Sequence, residues 1–339
     1  MTEDLIKLRK NDHININLEK NVKSSLSNGF EKYQFIHSAL PELDITAIDL
    51  SQTLFNKKVS VPILISSMTG GTEQAQKINQ TLATAAQQYG LAMGVGSQRA
   101  AIDNPTLSNT FNIRKYAPDI LLFANLGAVQ LNYGYGIDEC KKAIDMIEAD
   151  SLIFHLNPLQ EAVQPEGDTN FGGLLNKIEN ICKTISVPVV IKEVGWGISA
   201  ELAMKFKNVG VAGIDVSGAG GTSWSQVERF RLTNPYDIKV AEAFINWGIP
   251  TADALAAVRN ENLDLPIFAS GGLKDGMDLA KSLALGANLA GMAGVFLKAA
   301  VDSLDHLLNT IHVFERIIRI SMFVTGSKDL SSFSSKKIY

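Results

Sequence analysis

The chain has 339 residues, enough to bury one large core, and its 46% hydrophobic and 19% charged residues are the composition of an ordinary soluble globular protein. A net charge of −4 offers no general field for a polyanion, which argues against nucleic acid and confines any anion site to a local cluster. Cys140 and Cys182 are too few and too isolated for a disulfide framework or a zinc cluster. The charged N-terminus lacks the apolar stretch of a secretory signal, and no apolar run is long enough for a bilayer. A cytoplasmic protein with no membrane partner is expected.

Residues 1–60 read as an N-terminal arm and lead-in. Arg9, Lys10 and His13 crowd two cations and an imidazole into five positions of a polar segment without clear helical period. Such a segment is either a solvated, mobile arm or one that folds over a site and brings cations to an anionic ligand. From residue 61 the pattern turns regular. Apolar runs at 61–67, 91–97, 119–127, 151–157, 187–194, 212–218, 265–272 and 289–297 alternate, for the most part, with helical stretches. Eight such runs predict a closed parallel (β/α)8 TIM barrel over residues 61–325. The competing open, doubly wound sheet would need a dinucleotide fingerprint after an early strand, and none is there. About 45 residues separate the sixth and seventh runs, which marks a long insertion after strand 6 on the active-site face. A helix rich in Ile and Phe is expected near 303–323, followed by a mobile Ser/Lys tail over 326–339.

Barrel chemistry sits at the C-terminal ends of strands. The fourth run closes on HLNPLQE. Alternation puts Ile153, His155 and Asn157 on one side and Leu152, Phe154 and Leu156 on the other, and Pro158 stops the strand with Gln160 and Glu161 at its mouth. Either the histidine is satisfied by backbone, or an imidazole, two amides and a carboxylate converge on a ligand. The first strand ends in Ser66 to Gly71, where glycines let backbone approach a ligand closely. The second ends in Ser97 and Arg99, the third in Asn125. Lys192 interrupts the fifth run, where an unpaired ammonium would be costly; it either reaches the rim or neutralises a bound anion or electron-rich ring. The sixth ends in Ser217 to Thr222. Gly271 and Gly272 after the seventh, with Gly294 after the eighth, predict a phosphate cradle of backbone N–H groups, and hence a phosphorylated cofactor or a sugar phosphate. Arg9, Lys10 and Arg99 carry more charge than one monophosphate requires. Glu161 beside them would repel a phosphate unless Mg2+ bridged the two. Two anion sites, one metal-bridged, point to a phosphorylated cofactor together with a diphosphate substrate.

The stretches RKNDH, SSMTGGT, GVGSQR, NLG, HLNPLQE, QPEGD, VIKEVGWG, DVSGAGGTSW and ASGGLKDGMDLAKSLALGA resemble, in order and over nearly the whole chain, the motifs of the type 2 isopentenyl diphosphate isomerase family. The resemblance implies an FMN-dependent barrel, assembled as a homo-oligomer (tetramer or octamer), that needs Mg2+ and flavin reduced by NADPH. It would interconvert isopentenyl and dimethylallyl diphosphate. FMN contacts are implied at Met68, Thr69, Gly70, Ser97, Asn125 and Lys192, and at Ser217, Thr222, Gly271, Gly272, Ala293 and Gly294. Substrate contacts are implied at Arg9, Lys10, His13, Ser97, Arg99, His155, Asn157 and Gln160. The catalytic candidates are Gln160 near the reacting carbons, Glu161 on Mg2+, Lys192 favouring anionic reduced flavin, and Glu228 at an acidic position after TSW. One departure is Gly294-Val295, where many members carry an Arg-Pro pair. A barrel oxidising 2-hydroxy acids would need a base, commonly a histidine, just after strand 6; Ser217-Gly218-Ala219 supply none.

Overall fold

The computed structural model describes residues 3–261 and 263–339, with side chains from Lys10 onward except Asn11. A short antiparallel hairpin, β1 (Gln52–Leu54) and β2 (Lys57–Val59), precedes the barrel. The barrel strands follow as β3 (Ile63–Ile65), β4 (Ala92–Gly94), β5 (Leu122–Gly127), β6 (Ser151–Leu156), β7 (Val189–Glu193), β8 (Gly213–Asp215), β9 (Ile267–Ala269) and β10 (Leu289–Met292). All neighbours are parallel and consecutive, and β10 closes on β3, so the chain is a (β/α)8 barrel. Each strand falls inside one of the eight apolar runs read from the sequence.

The pleat sorts the strand residues as alternation requires. Leu152 and Phe154 join the layer between barrel and helices, whereas Ile153 joins the barrel interior with Leu64, Ala92, Phe123, Val190, Phe268 and Leu289. The hairpin plugs the lower end, with Phe55 meeting Phe123 and Phe268 edge-on at 6.4 Å in both pairs. Two residues further along the same strands, the interior positions become Ser66, Gly94, Asn125, His155, Lys192, Asp215, Ser270 and Gly291. Register holds three of these residues level on adjacent strands: His155 pairs with Lys192, and Lys192 with Asp215. An apolar layer thus seals the barrel and a polar one lies directly above it. That is the floor of the site.

Three expectations are corrected. The run 289–297 is strand only to Met292; from Gly294 the chain is a helix to Asp302, and Phe296, Leu297, Ala299 and Ala300 are buried at helical spacing. The N-terminal arm, read as lacking helical period, is a helix from Glu3 to Glu19, anchored by the buried Ile14. The segment 326–339, expected to be a mobile tail, is docked. Gln34 and Tyr339 exchange both backbone hydrogen bonds at 2.8 and 2.9 Å, and Phe333 is buried and stacked on Phe35 at 5.4 Å. Apolar Phe333 and Ile338 give this polar tail the burial that its composition hides. The expected helix near 303–323 spans Leu304–Phe323. The long insertion holds three helices, Trp224–Arg229, Pro235–Glu242 and Thr251–Asn260.

Candidate active site

The polar floor opens into a cavity of about 860 Å³, within the range of cofactor and small-molecule sites. At its centre Lys192 is buried and its ammonium donates to Glu193 O (2.8 Å), Ser217 Oγ (2.7 Å) and Ser270 Oγ (3.1 Å). Asp215, fully buried one strand over, lies 3.5 Å from Nζ and accepts from the Ser270 hydroxyl at 2.8 Å. A paired ammonium satisfies the burial cost that the sequence flagged. Of the two readings, Lys192 is a floor residue and not one that reaches the rim. Asp215 escaped the sequence reading, although its place two residues before Ser217 on an interior face was a signal.

His155 stands beside Lys192, its Nδ1 2.7 Å from Asn125 Oδ1. An amide oxygen only accepts, so Nδ1 carries the proton and Nε2 keeps its lone pair. Burial pushes the imidazole down to about 4, helped by the Lys192 and Lys10 ammonium groups, so His155 is neutral at pH 7. On the opposite wall the hydroxyls of Ser66 and Ser67 line the cavity, buried and without a partner among the described residues. Buried hydroxyls of this kind call for a ligand to complete them.

The loops above the floor are held by backbone-to-backbone contact. A Cβ on Gly271 would lie 2.1 Å from Gly218 O, and one on Gly272 would lie 2.3 Å from Gly220 C, so the loops after β8 and β9 interlock only as glycine. Read from sequence as a phosphate cradle, these glycines therefore also have a packing reason. By contrast a Cβ at Gly294 would meet nothing within 4 Å. The first turn of the helix Gly294–Asp302 is open to a ligand, and its N-terminal N–H groups are free to donate to an anion. Met68, Thr69, Ser97, Ser217, Thr222 and Ala293 also line the cavity. Gly70 does not; a Cβ there would fall 1.9 Å from the Phe111 ring, so this glycine is required by packing.

The N-terminal helix covers the mouth. Lys10 lines the cavity and donates to Ser97 O at 2.9 Å; the Arg9 side chain lies outside the described residues. His13 Nε2 meets Glu228 Oε1 at 3.0 Å, with its ring edge-on to Trp224 at 5.1 Å. Glu228 is fully buried behind the wall. It accepts from Gln160 Nε2 (2.9 Å) and Arg231 Nη1 (2.6 Å). Burial works to raise this carboxyl, but the His13 contact, Gln160 and Arg231 outweigh it and bring it to about 2. Glu228 therefore acts through Gln160 and His13, which do face the cavity. At the rim Asn157 donates to Glu161 Oε1 at 2.8 Å, and Arg99 donates to Asp168 Oδ2 at 2.7 Å. Asn157, Gln160, Glu161 and Arg99 all line the same cavity, so strand mouth, floor and lid form one site. Among the described residues no three of His, Cys, Asp and Glu converge as a metal centre.

The sequence model of the FMN-dependent dehydrogenase family matches residues 158–339. Among solved structures, flavocytochrome b2 aligns at TM-score 0.67 and 20% identity over 92% of this chain and 77% of that one. Mandelate oxidase aligns at TM-score 0.65 and 14% identity over 99% and 95%. At such identities the likeness is one of fold. Sequence relatives are far closer. The isopentenyl-diphosphate delta-isomerase of Nostoc sp. is 54% identical over 95% of this chain and 92% of its own length. Those of Rickettsia bellii and Rickettsia felis are each 51% identical over 97% and 96%. This chain belongs to the family of FMN-dependent type 2 isopentenyl-diphosphate delta-isomerases.

Proposed function

We propose that the chain interconverts isopentenyl and dimethylallyl diphosphate with FMN in the cavity, a divalent cation at the rim and no net oxidation. The single observation that carries this reading is the division of one cavity into two ends. Its glycine-lined floor and wall carry Lys192 and the partnerless hydroxyls of Ser66 and Ser67, and its rim joins Arg99 and Lys10 to the carboxylate of Glu161. The first end fits a flavin: hydroxyls in need of partners, an ammonium at the centre, and the open first turn at Gly294 for its phosphate. Reduced flavin, when bound, supplies an electron-rich ring that can exchange a proton with an allylic carbon without consuming electrons.

The residues do the remainder. Moving a double bond needs one carbon protonated and another deprotonated while water is kept out, and the N-terminal helix with His13 closes the mouth. Gln160, its amide held by Glu228 and Asn157, lines the cavity, where a neutral group orients the alkene without competing for the proton. Lys10 and Arg99 take the diphosphate. Glu161 would hold Mg2+, which would offset the negative charge of the diphosphate. NADPH serves only to reduce the flavin. A homo-oligomeric assembly and a cytoplasmic setting are part of the same proposal.

The dehydrogenase alternative lacks its base. At the position after the sixth barrel strand a Cβ on Gly218 would lie 2.4 Å from Thr251 Cα, so no side chain fits there. Purified protein given isopentenyl diphosphate, FMN, Mg2+ and NADPH should form dimethylallyl diphosphate. It should hold FMN in preference to FAD, and Lys192→Ala should weaken that binding. An inactive parent holding FMN, or a parent that takes FAD equally well, would refute the reading.

A further inference from the structure

We propose that Asp168 is a positioning residue that fixes the two charged groups of the diphosphate end, Arg99 and Glu161, relative to each other. The inference rests on the reading above of Arg99 as an anion contact and Glu161 as the cation ligand. Asp168 lies in the segment between the helices Pro158–Val163 and Leu174–Thr184. That segment folds back on the first of them: Gly167 N donates to Gln164 O at 3.0 Å, and a Cβ on Gly167 would lie 1.8 Å from Glu161 O. Only glycine permits this closure. The next residue then uses both of its polar ends. Its N–H donates to Glu161 Oε2 at 2.7 Å, while its Oδ2 accepts from Arg99 Nη1 at 2.7 Å and Gln130 Nε2 at 2.9 Å. With Asn157 on Oε1, both oxygens of Glu161 have a fixed direction.

Arg99 lines the cavity and Asp168 does not, so the carboxylate stands behind the guanidinium. By charge alone, an acid in that place weakens anion binding. Its use must therefore be geometric. Without it, Arg99 keeps among the described residues only Asp103 as a carboxylate partner, at 3.7 Å from Nε and on the exposed side. Charge and positioning predict opposite signs, which makes the proposal decidable.

The test uses the FMN-loaded protein. Asp168→Asn, equal in size, should raise KM for isopentenyl diphosphate about tenfold, with kcat nearly unchanged, as expected for a charge-assisted hydrogen bond. In an Arg99→Ala background the same change should add nothing further. Gly167→Ala should instead raise the Mg2+ concentration for half activity, since it separates the 168 N–H from Glu161. A lower or unchanged KM in Asp168→Asn, or additive effects with Arg99→Ala, would overturn the proposal. Should Asp168→Asn lose its flavin, Asp168→Glu carries the test: it keeps charge and N–H but displaces the guanidinium, so an unchanged KM sinks the idea. Were the parent unable to turn over isopentenyl diphosphate, the isomerase reading would fall. Calorimetry with inorganic pyrophosphate and Mg2+ would still decide Asp168: weaker binding in Asp168→Asn supports it, and equal or tighter binding overturns it.

Discussion

His155 shows how one floor residue is set by its surroundings. Its folded value, about 4, lies below the ordinary 6.5, so protons favour the unfolded chain between these limits. Stability that is fully present above 6.5 is lost as pH falls through about 4. Glu228 has the same sign lower down: it stabilises above its ordinary 4.5, and that contribution goes as pH falls towards 2. Burial holds His155 neutral and the Lys192 and Lys10 charges add to it; a bound diphosphate would oppose those charges. At about pH 6, substrate binding should then take up a proton, and His155→Gln should abolish the uptake. Calorimetry in two buffers of different ionisation enthalpy reads it; identical heats for the parent would refute it. Gln160 and Glu161, adjacent in sequence, should fail differently. Glu161→Gln should lose most activity and raise the Mg2+ requirement, because metal-mediated charge stabilisation contributes several kcal/mol, roughly. Gln160→Ala should lower kcat at an unchanged Mg2+ requirement, and both variants should keep their flavin. A parent-like Mg2+ titration in Glu161→Gln would move the cation elsewhere.

At the scale of elements, the N-terminal helix is the part whose function depends most on tertiary contact. Ile14, Ile16 and Leu18 alternate with Asn15 and Asn17 as a strand would, yet the segment is helical because Ile14 buries and His13 reaches Glu228. Docking overrides the local pattern. The eight strands were legible for the converse reason: a strand buried on both faces needs a continuous apolar run, and such runs are visible without any tertiary knowledge. Floor residues ending those runs were legible too, since Asn125, His155 and Lys192 interrupt apolar sequence. Asp215 and Asp168 were passed over: Asp215 is marked only by its interior position two residues before Ser217 and Asp168 only by lying in QPEGD, and that each holds another side chain shows once the partner strand or loop is placed beside it. Removing residues 1–13 takes Lys10 and His13 from the mouth while leaving the floor intact. KM for isopentenyl diphosphate should rise on the order of tenfold or more, with FMN still bound. An unchanged KM would make this helix a bystander.

For the molecule as a whole, the decisive question is what a barrel shared with FMN-dependent oxidoreductases does with its electrons. The fold does not answer it, since flavocytochrome b2 and mandelate oxidase are built on the same frame. The site carries the distinction. Gly218 leaves no room for a base after the sixth barrel strand. A fixed ammonium, a neutral amide and a closed mouth suit proton movement over a ring that stays reduced. NADPH should therefore be consumed only to reduce bound flavin. In an anaerobic assay its oxidation should stop at about one equivalent per flavin site while product continues to accumulate over many turnovers. Oxidation of NADPH in step with product would mean net electron transfer, and the chain would then share chemistry as well as fold with the oxidoreductases.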